Sequence, residues 1–410
     1  MNQTLLEKYA RVAVVIGANV QKNQRLIVNS STETRELARE IAKQAYAVGA
    51  KSVEILWNDA VTSRYGYIGQ TKEELSNVPQ WIIDRYRYYV DEGACLISIA
   101  SPIPGVNEGV DSSKIQTASV AVSRAISFFR NHTMANKTQW CVIAAPNPVW
   151  AKKIFPNLSE EAAIDRLWGA ILDASRVRAD NDPVAEWNQH NATLAAHNKL
   201  LNQHQFASLH FKSGLGTDVI VKLVDNHIWA GGSEHAATGV VFNPNIPTEE
   251  TFTMPHKYGV DGVVYASKPL EYQGNLIEDF WLRFQNGKVV AFGAKKQEAT
   301  LKNLLESDEG SSRLGEIALI SNDSPISNSG ILFLNTLFDE NASCHMALGR
   351  AYPINVQGGV EMSQEQLEKV GYNHSLVHSD FMFGTADMSI VGTKHDGSTV
   401  QIFQNGNFII

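Results

Sequence analysis

At 410 residues the chain is long enough for two or three domains of ordinary size. Hydrophobic residues make up 44% and charged ones 19%, a globular balance that excludes disordered, collagen-like and coiled-coil chains. Lys and Arg number 35 against 43 Asp and Glu, and the resulting charge of −8 repels phosphate backbones and argues against a nucleic-acid partner.

In the first twenty residues Leu5, Leu6, Tyr9, Val12, Ala13 and Ile16 recur at helical spacing. Glu7, Lys8 and Arg11 interrupt them, so the segment reads as an amphipathic helix and not a secretory leader. No apolar run approaches the roughly 18 residues of a membrane span, and the expected location is cytoplasmic, away from membranes. Cys95, Cys141 and Cys344 are odd in number and far apart, which gives neither a disulfide framework nor a zinc ribbon.

Helix and strand then alternate. Residues 25–29 read as a strand, 32–48 as a helix, 52–57 as a strand, 72–90 as a helix, and 94–100 as a strand. A helix over 113–129, a strand over 139–145, and helices over 160–176 and 183–202 follow. The strands are near-continuous apolar runs, as expected where helices cover both faces of a parallel sheet. A doubly wound α/β domain over residues 1–204 is the reading.

From Ala207 the period falls to two. Residues 208–212 and 218–224 alternate about Gly214-Leu215-Gly216, and 278–284 and 289–292 flank Asn286-Gly287, a strong hairpin signal. A helix over 296–305 interrupts the strands. Residues 205–410 are expected to form an α+β domain with mainly antiparallel sheet.

Familiar cofactor and nucleophile motifs are missing. There is no GxGxxG after a strand, no GxxxxGK[ST], no GxSxG and no HExxH. Carboxylates and imidazoles concentrate instead in four segments, 245–252, 313–320, 338–345 and 374–382. Such groups beside apolar residues are costly unless paired or bound to a cation. Carboxylate and imidazole without thiolate is the donor set of hydrolytic Zn²⁺, Co²⁺ or Mn²⁺ sites. In an extended His378-Ser379-Asp380 the two donors share a face. Each segment has a plainer reading too. Glu249-Glu250 could be a helix first turn capped by Thr248, Glu316 a solvated strand end, and Cys344 a small buried residue.

Read together and in order, NIPTEETFTMP, RLGEIALI, LFDENASCHMALG and NHSLVHSDFMFGT resemble the metallo-aminopeptidase family that contains aminopeptidase T and aminopeptidase S. The similarity extends along the chain from YARVAVVIGANVQKNQ onward. The resemblance implies a cytoplasmic, homodimeric exopeptidase that removes residues from the free N-terminus of short peptides, using a water activated by two divalent ions. It implies Glu250, Glu316, Glu340, His345, His378 and Asp380 as metal ligands. Glu316 would bridge the ions or act as general base, and Tyr352 would stabilise the oxyanion. Zn, Co and Mn all suit the donors. Two other readings stand beside it: a metal-dependent dipeptidase or amidohydrolase, and a non-catalytic small-molecule-binding α/β protein. His374, Asp339 and Glu249 are the less favoured neighbours of the named ligands.

Overall fold

The computed structural model describes residues 2–272 and 275–410. The chain divides into two compact units, Met1–Gln189 with Ser233–Ile246, and His190–Gly232 with Pro247–Ile410. The expected boundary near 204 coincides with the end of the helix Pro183–His204, whereas the units part within that helix, at residue 189. The short return of 233–246 to the first unit carries no period change that a sequence reading could detect.

The first unit holds a parallel sheet in the order Ser52–Asn58, Arg25–Ser31, Cys95–Ala100, Trp140–Ala144. Leu26, Ile27, Val28, Ile97, Cys141 and Ile143 are buried along it, as their apolar runs require. Leu37, Ala38, Ile41 and Ala45 form the buried face of the helix Arg35–Ala47. The segment 233–246 returns to the far edge of this sheet, where Val142 N donates to Pro244 O and Ile246 N to Val142 O.

The predicted helix over 72–90 is two helices, Lys72–Ser76 and Gln80–Asp91. Pro79 disfavours helical backbone in the residue before it and forces the break. The predicted 113–129 helix likewise divides into Ser112–Ala125 and Ser127–Met134. The helices Ala60–Gly69 and Pro148–Ile154 went unpredicted; the first buries no residue, so it lacks the apolar stripe that would announce it.

In the second unit the described residues form a nine-stranded antiparallel sheet, which includes both predicted hairpins, Ser208–Lys212 with Asp218–Leu223 and Asn275–Gln285 with Lys288–Lys296. The helix expected from 296 starts at Glu298, because Gln297 has φ +59. A second, four-stranded antiparallel sheet runs in the order His378–Met382, His345–Gly349, Leu314–Leu319, Thr251–Thr253. Ile317, Leu319, Met346, Leu348 and Phe381 of these strands belong to one buried apolar cluster. No helix among the described residues is long and apolar enough to cross a membrane.

Candidate metal centre

Each of the four polar segments contributes to the four-stranded sheet. Residues opposite one another in an antiparallel pair share a face, as do residues two apart in a strand. Ala347 lies opposite both Glu316 and Asp380, and Gly349 lies opposite His378. His345 pairs with Ala318, which pairs with Phe252, two residues beyond Glu250. Glu250, Glu316, His345, His378 and Asp380 therefore point to one face, where Ala318, Ala347 and Gly349 between them add little bulk. Ile317, Met346 and Phe381 cover the other face with core.

A bulge makes this possible. Leu314 pairs with Leu348 and Glu316 with Ala347, so the extra residue is Gly315. The bulge lets Leu314 stay in the core while Glu316 turns to the polar face. Only glycine fits, since a Cβ there would lie 2.4 Å from the carbonyl oxygens of both Gly349 and Arg350.

The donor atoms fall into two close groups, Glu250–Glu316–His345 and Glu316–His378–Asp380, each within 4.8 Å. Glu316 belongs to both. Its Oε1 is 3.3 Å from His345 Nε2, and its Oε2 is 3.7 Å from His378 Nε2. Glu250 Oε2 lies 3.5 Å from His345 Nε2, and Asp380 Oδ1 lies 3.3 Å from His378 Nε2.

Both imidazoles are oriented from behind. His345 Nδ1 donates to Glu340 O at 2.7 Å and His378 Nδ1 to Arg350 O at 2.6 Å. A carbonyl only accepts, so the Nδ1 proton is settled and a neutral ring presents the Nε2 lone pair to the pocket. That lone pair would face carboxylate oxygens in both groups, so each Nε2 demands either a second proton or a cation. Without a cation, protons fill the role. Burial opposes charge on His345, but the Glu316 hydrogen bond and the Asp380 and Glu250 carboxylates outweigh it and push the ring up to about 10. Burial likewise opposes charge on His378, and the Asp380 and Glu316 carboxylates carry it up to about 10.

The carboxylates carry the matching strain. Burial, reinforced by Glu316 and Asp380, pushes Glu250 up to about 8. Glu340 is raised well above the usual range by burial and by Asp380 and Glu250. Burial works against the charge on Asp380, yet His378 and His345 hold it below its ordinary value. Asp380 Oδ1 is buried, with the His378 Nε2 at 3.3 Å as its ion-pair partner. Nitrogen and oxygen donors without sulfur and crowded negative charge together fit a first-row divalent cation.

Glu340 stands in the electrostatic field of this cluster but in neither close group. The Tyr352 ring lies 4.9 Å from that of His378 and edge-on to Phe252 at 6.2 Å. Burial, with Glu316 and Asp380 nearby, raises its phenol and keeps the proton on it. His374 stays outside both groups, its ring against Tyr372 at 4.7 Å. Asp339 turns away and accepts from Phe333 N and Asn335 N. Glu249 lies 3.6 Å from His190. Cys344 is buried, its thiol pushed up to about 12 by burial. The orienting carbonyls and the Gly315 bulge were not foreseen; every residue has a carbonyl, so no sequence signal marks those that are used.

Imidazoles and carboxylates converging without thiolate on one sheet face form a donor set suited to a divalent metal ion, the feature of a metalloenzyme. The chain matches the thermophilic metalloprotease (M29) family over residues 2–408 and belongs to that family, which makes it a peptidase. Among its relatives, aminopeptidase 2 of Geobacillus stearothermophilus is 45% identical over 98% of this chain and 97% of its own. Aminopeptidase T of Thermus aquaticus is 38% identical over 99% of this chain and 98% of its own. The solved structure of wild-type AmpT from Thermus thermophilus superposes with a TM-score of 0.93 at 37% identity, covering 100% of both chains. A 13% identical dioxygenase structure from Pseudomonas putida, with a TM-score of 0.53, shares the fold alone.

Proposed function

We propose that the chain is an aminopeptidase that hydrolyses the N-terminal peptide bond of short peptides at a site for two divalent cations. The observation that carries this reading is Glu316 offering one carboxylate oxygen to each of two donor groups. Glu250 and His345 would complete one site, His378 and Asp380 the other, with Glu340 beside them. When bound, the cations supply Lewis acidity, which eases deprotonation of water and polarises a carbonyl.

The chain's own residues do the rest. His345 and His378 keep their Nε2 atoms aimed into the pocket through their Nδ1 bonds. Glu316 would serve either as the bridge, with both oxygens engaged, or as general base, with one oxygen free to accept the proton of the attacking water. Tyr352 keeps its hydroxyl proton and would donate it as a hydrogen bond to the developing oxyanion, a contribution of about 3 kcal/mol. A free N-terminal amine offers a nitrogen lone pair that a bound cation could accept and a mid-chain amide nitrogen does not, which would favour N-terminal substrates. The metals in view are Zn²⁺, Co²⁺ and Mn²⁺. The family resemblance also carries the expectations of a homodimer and a cytoplasmic setting; light scattering checks the first.

The test compares an amino-acid p-nitroanilide with its N-acetylated counterpart. Cleavage of the free-amine substrate alone, lost in EDTA and restored by Co²⁺, Zn²⁺ or Mn²⁺, is expected. Equal cleavage of both would favour a general amidohydrolase. Tyr352→Phe should lower kcat about 100-fold while elemental analysis finds metal content unchanged; lost metal would contradict the assigned role.

A further inference from the structure

Glu250 stands just outside the sheet ladder that organises its partners. The registered pairs of its strand begin at Thr251, opposite Leu319, so the backbone of 248–250 is fastened by other means. One fastening is Asn341. Its Oδ1 accepts the Glu249 N–H at 2.8 Å, and its Nδ2 donates to Leu337 O at 3.1 Å. The side chain is fully buried, at 0% exposure. On the other side His190 Nε2 lies 2.8 Å from Thr248 O and donates to it.

Asn341 directly follows Glu340, whose carbonyl accepts from His345 Nδ1. One amide thus ties the segment that carries Glu250 to the turn that aims His345. Glu250 and His345 come from parts of the chain almost a hundred residues apart, yet both must meet one cation within a few tenths of an ångström. We infer that Asn341 is a positioning residue that presets the distance between Glu250 and His345 before any cation arrives. This rests on the two-cation reading above. A buried amide satisfied at both ends also stabilises the fold, so stability alone does not separate the two roles.

The decisive measurements use the full chain with Co²⁺ as probe. Asn341→Ala should weaken Co²⁺ binding about 10- to 100-fold, with an altered Co²⁺ absorption spectrum, as loss of an orienting partner does at metal sites. Asn341→Asp keeps an oxygen for the Glu249 N–H but loses the bond to Leu337 O, so it should weaken Co²⁺ binding less than Asn341→Ala does. In the metal-free wild type the Glu249 amide should be protected from hydrogen exchange, and Asn341→Ala should speed that exchange about tenfold or more. Wild-type Co²⁺ affinity and spectrum in Asn341→Ala would overturn the inference. So would a Glu249 amide that exchanges like an exposed loop in the metal-free wild type, a result that needs no variant to fold. A wild type that takes up no Co²⁺ would defeat the two-cation reading instead, and the exchange data would still judge the brace.

Discussion

His345 and His378 are each held by a proton on Nδ1 and left with Nε2 facing carboxylates. On the two-cation reading, proton and cation would compete for the same nitrogen. With both rings pushed up to about 10 and Glu250 up to about 8, the metal-free pocket holds protons at neutral pH that a cation must displace. Binding then releases protons, and apparent affinity must rise with pH. Each proton released contributes tenfold per pH unit, so Co²⁺ affinity should climb at least about tenfold from pH 6 to pH 7. Calorimetry in two buffers of different ionisation enthalpy counts the protons; a pH-independent affinity would contradict the assignment of these residues as ligands. The identities of these donors were legible in the chain. What oriented them was not, because Glu340 and Arg350 act through backbone atoms that their side chains do not advertise.

At the scale of the element, one strand decides the site. RLGEIALI shows a single carboxylate entering an apolar strand, which alternation alone would explain as a solvated end. The Gly315 bulge instead buries Glu316 on the polar face, at 5% exposure, with Leu314 kept in the core. Gly315→Ala would press a methyl against two carbonyl oxygens, costing about 3 kcal/mol or more and displacing Glu316. Gly169 provides the contrast. It lies exposed inside the helix Glu160–Ala174 with open space around it, so Gly169→Ala should stabilise the protein by about 0.5–1 kcal/mol. Denaturant melts of the two variants should move in opposite directions, and metal content should fall only in the first. Helices with a clear apolar face, such as Arg35–Ala47, were legible to within a few residues. The break at Pro79 and the helix Ala60–Gly69 were missed because the first is a local steric veto and the second buries nothing.

For the molecule as a whole, a pocket crowded with four carboxylates is a cost that bound cations relieve. Ligands that bind only the folded state stabilise it by mass action, by about 2.7 kcal/mol at a hundred times Kd. Saturating Co²⁺ should therefore raise the thermal midpoint, EDTA should reverse the rise, and Glu316→Gln, which removes the negative charge both groups share and one of its two oxygens, should abolish it. An unchanged midpoint in the wild type would count against a metal bound at this cluster.

The chain's own order of residues determined the α/β first half, the antiparallel second half and the donor types gathered in four segments, because hydrophobic period and residue chemistry are local properties. Which faces those donors share was decided only in three dimensions. Strand register sets whether Glu316 and Asp380 meet across Ala347, and register follows from pairing between segments far apart in the chain. The return of 233–246 to the first unit is likewise a matter of long-range pairing, which no local pattern encodes.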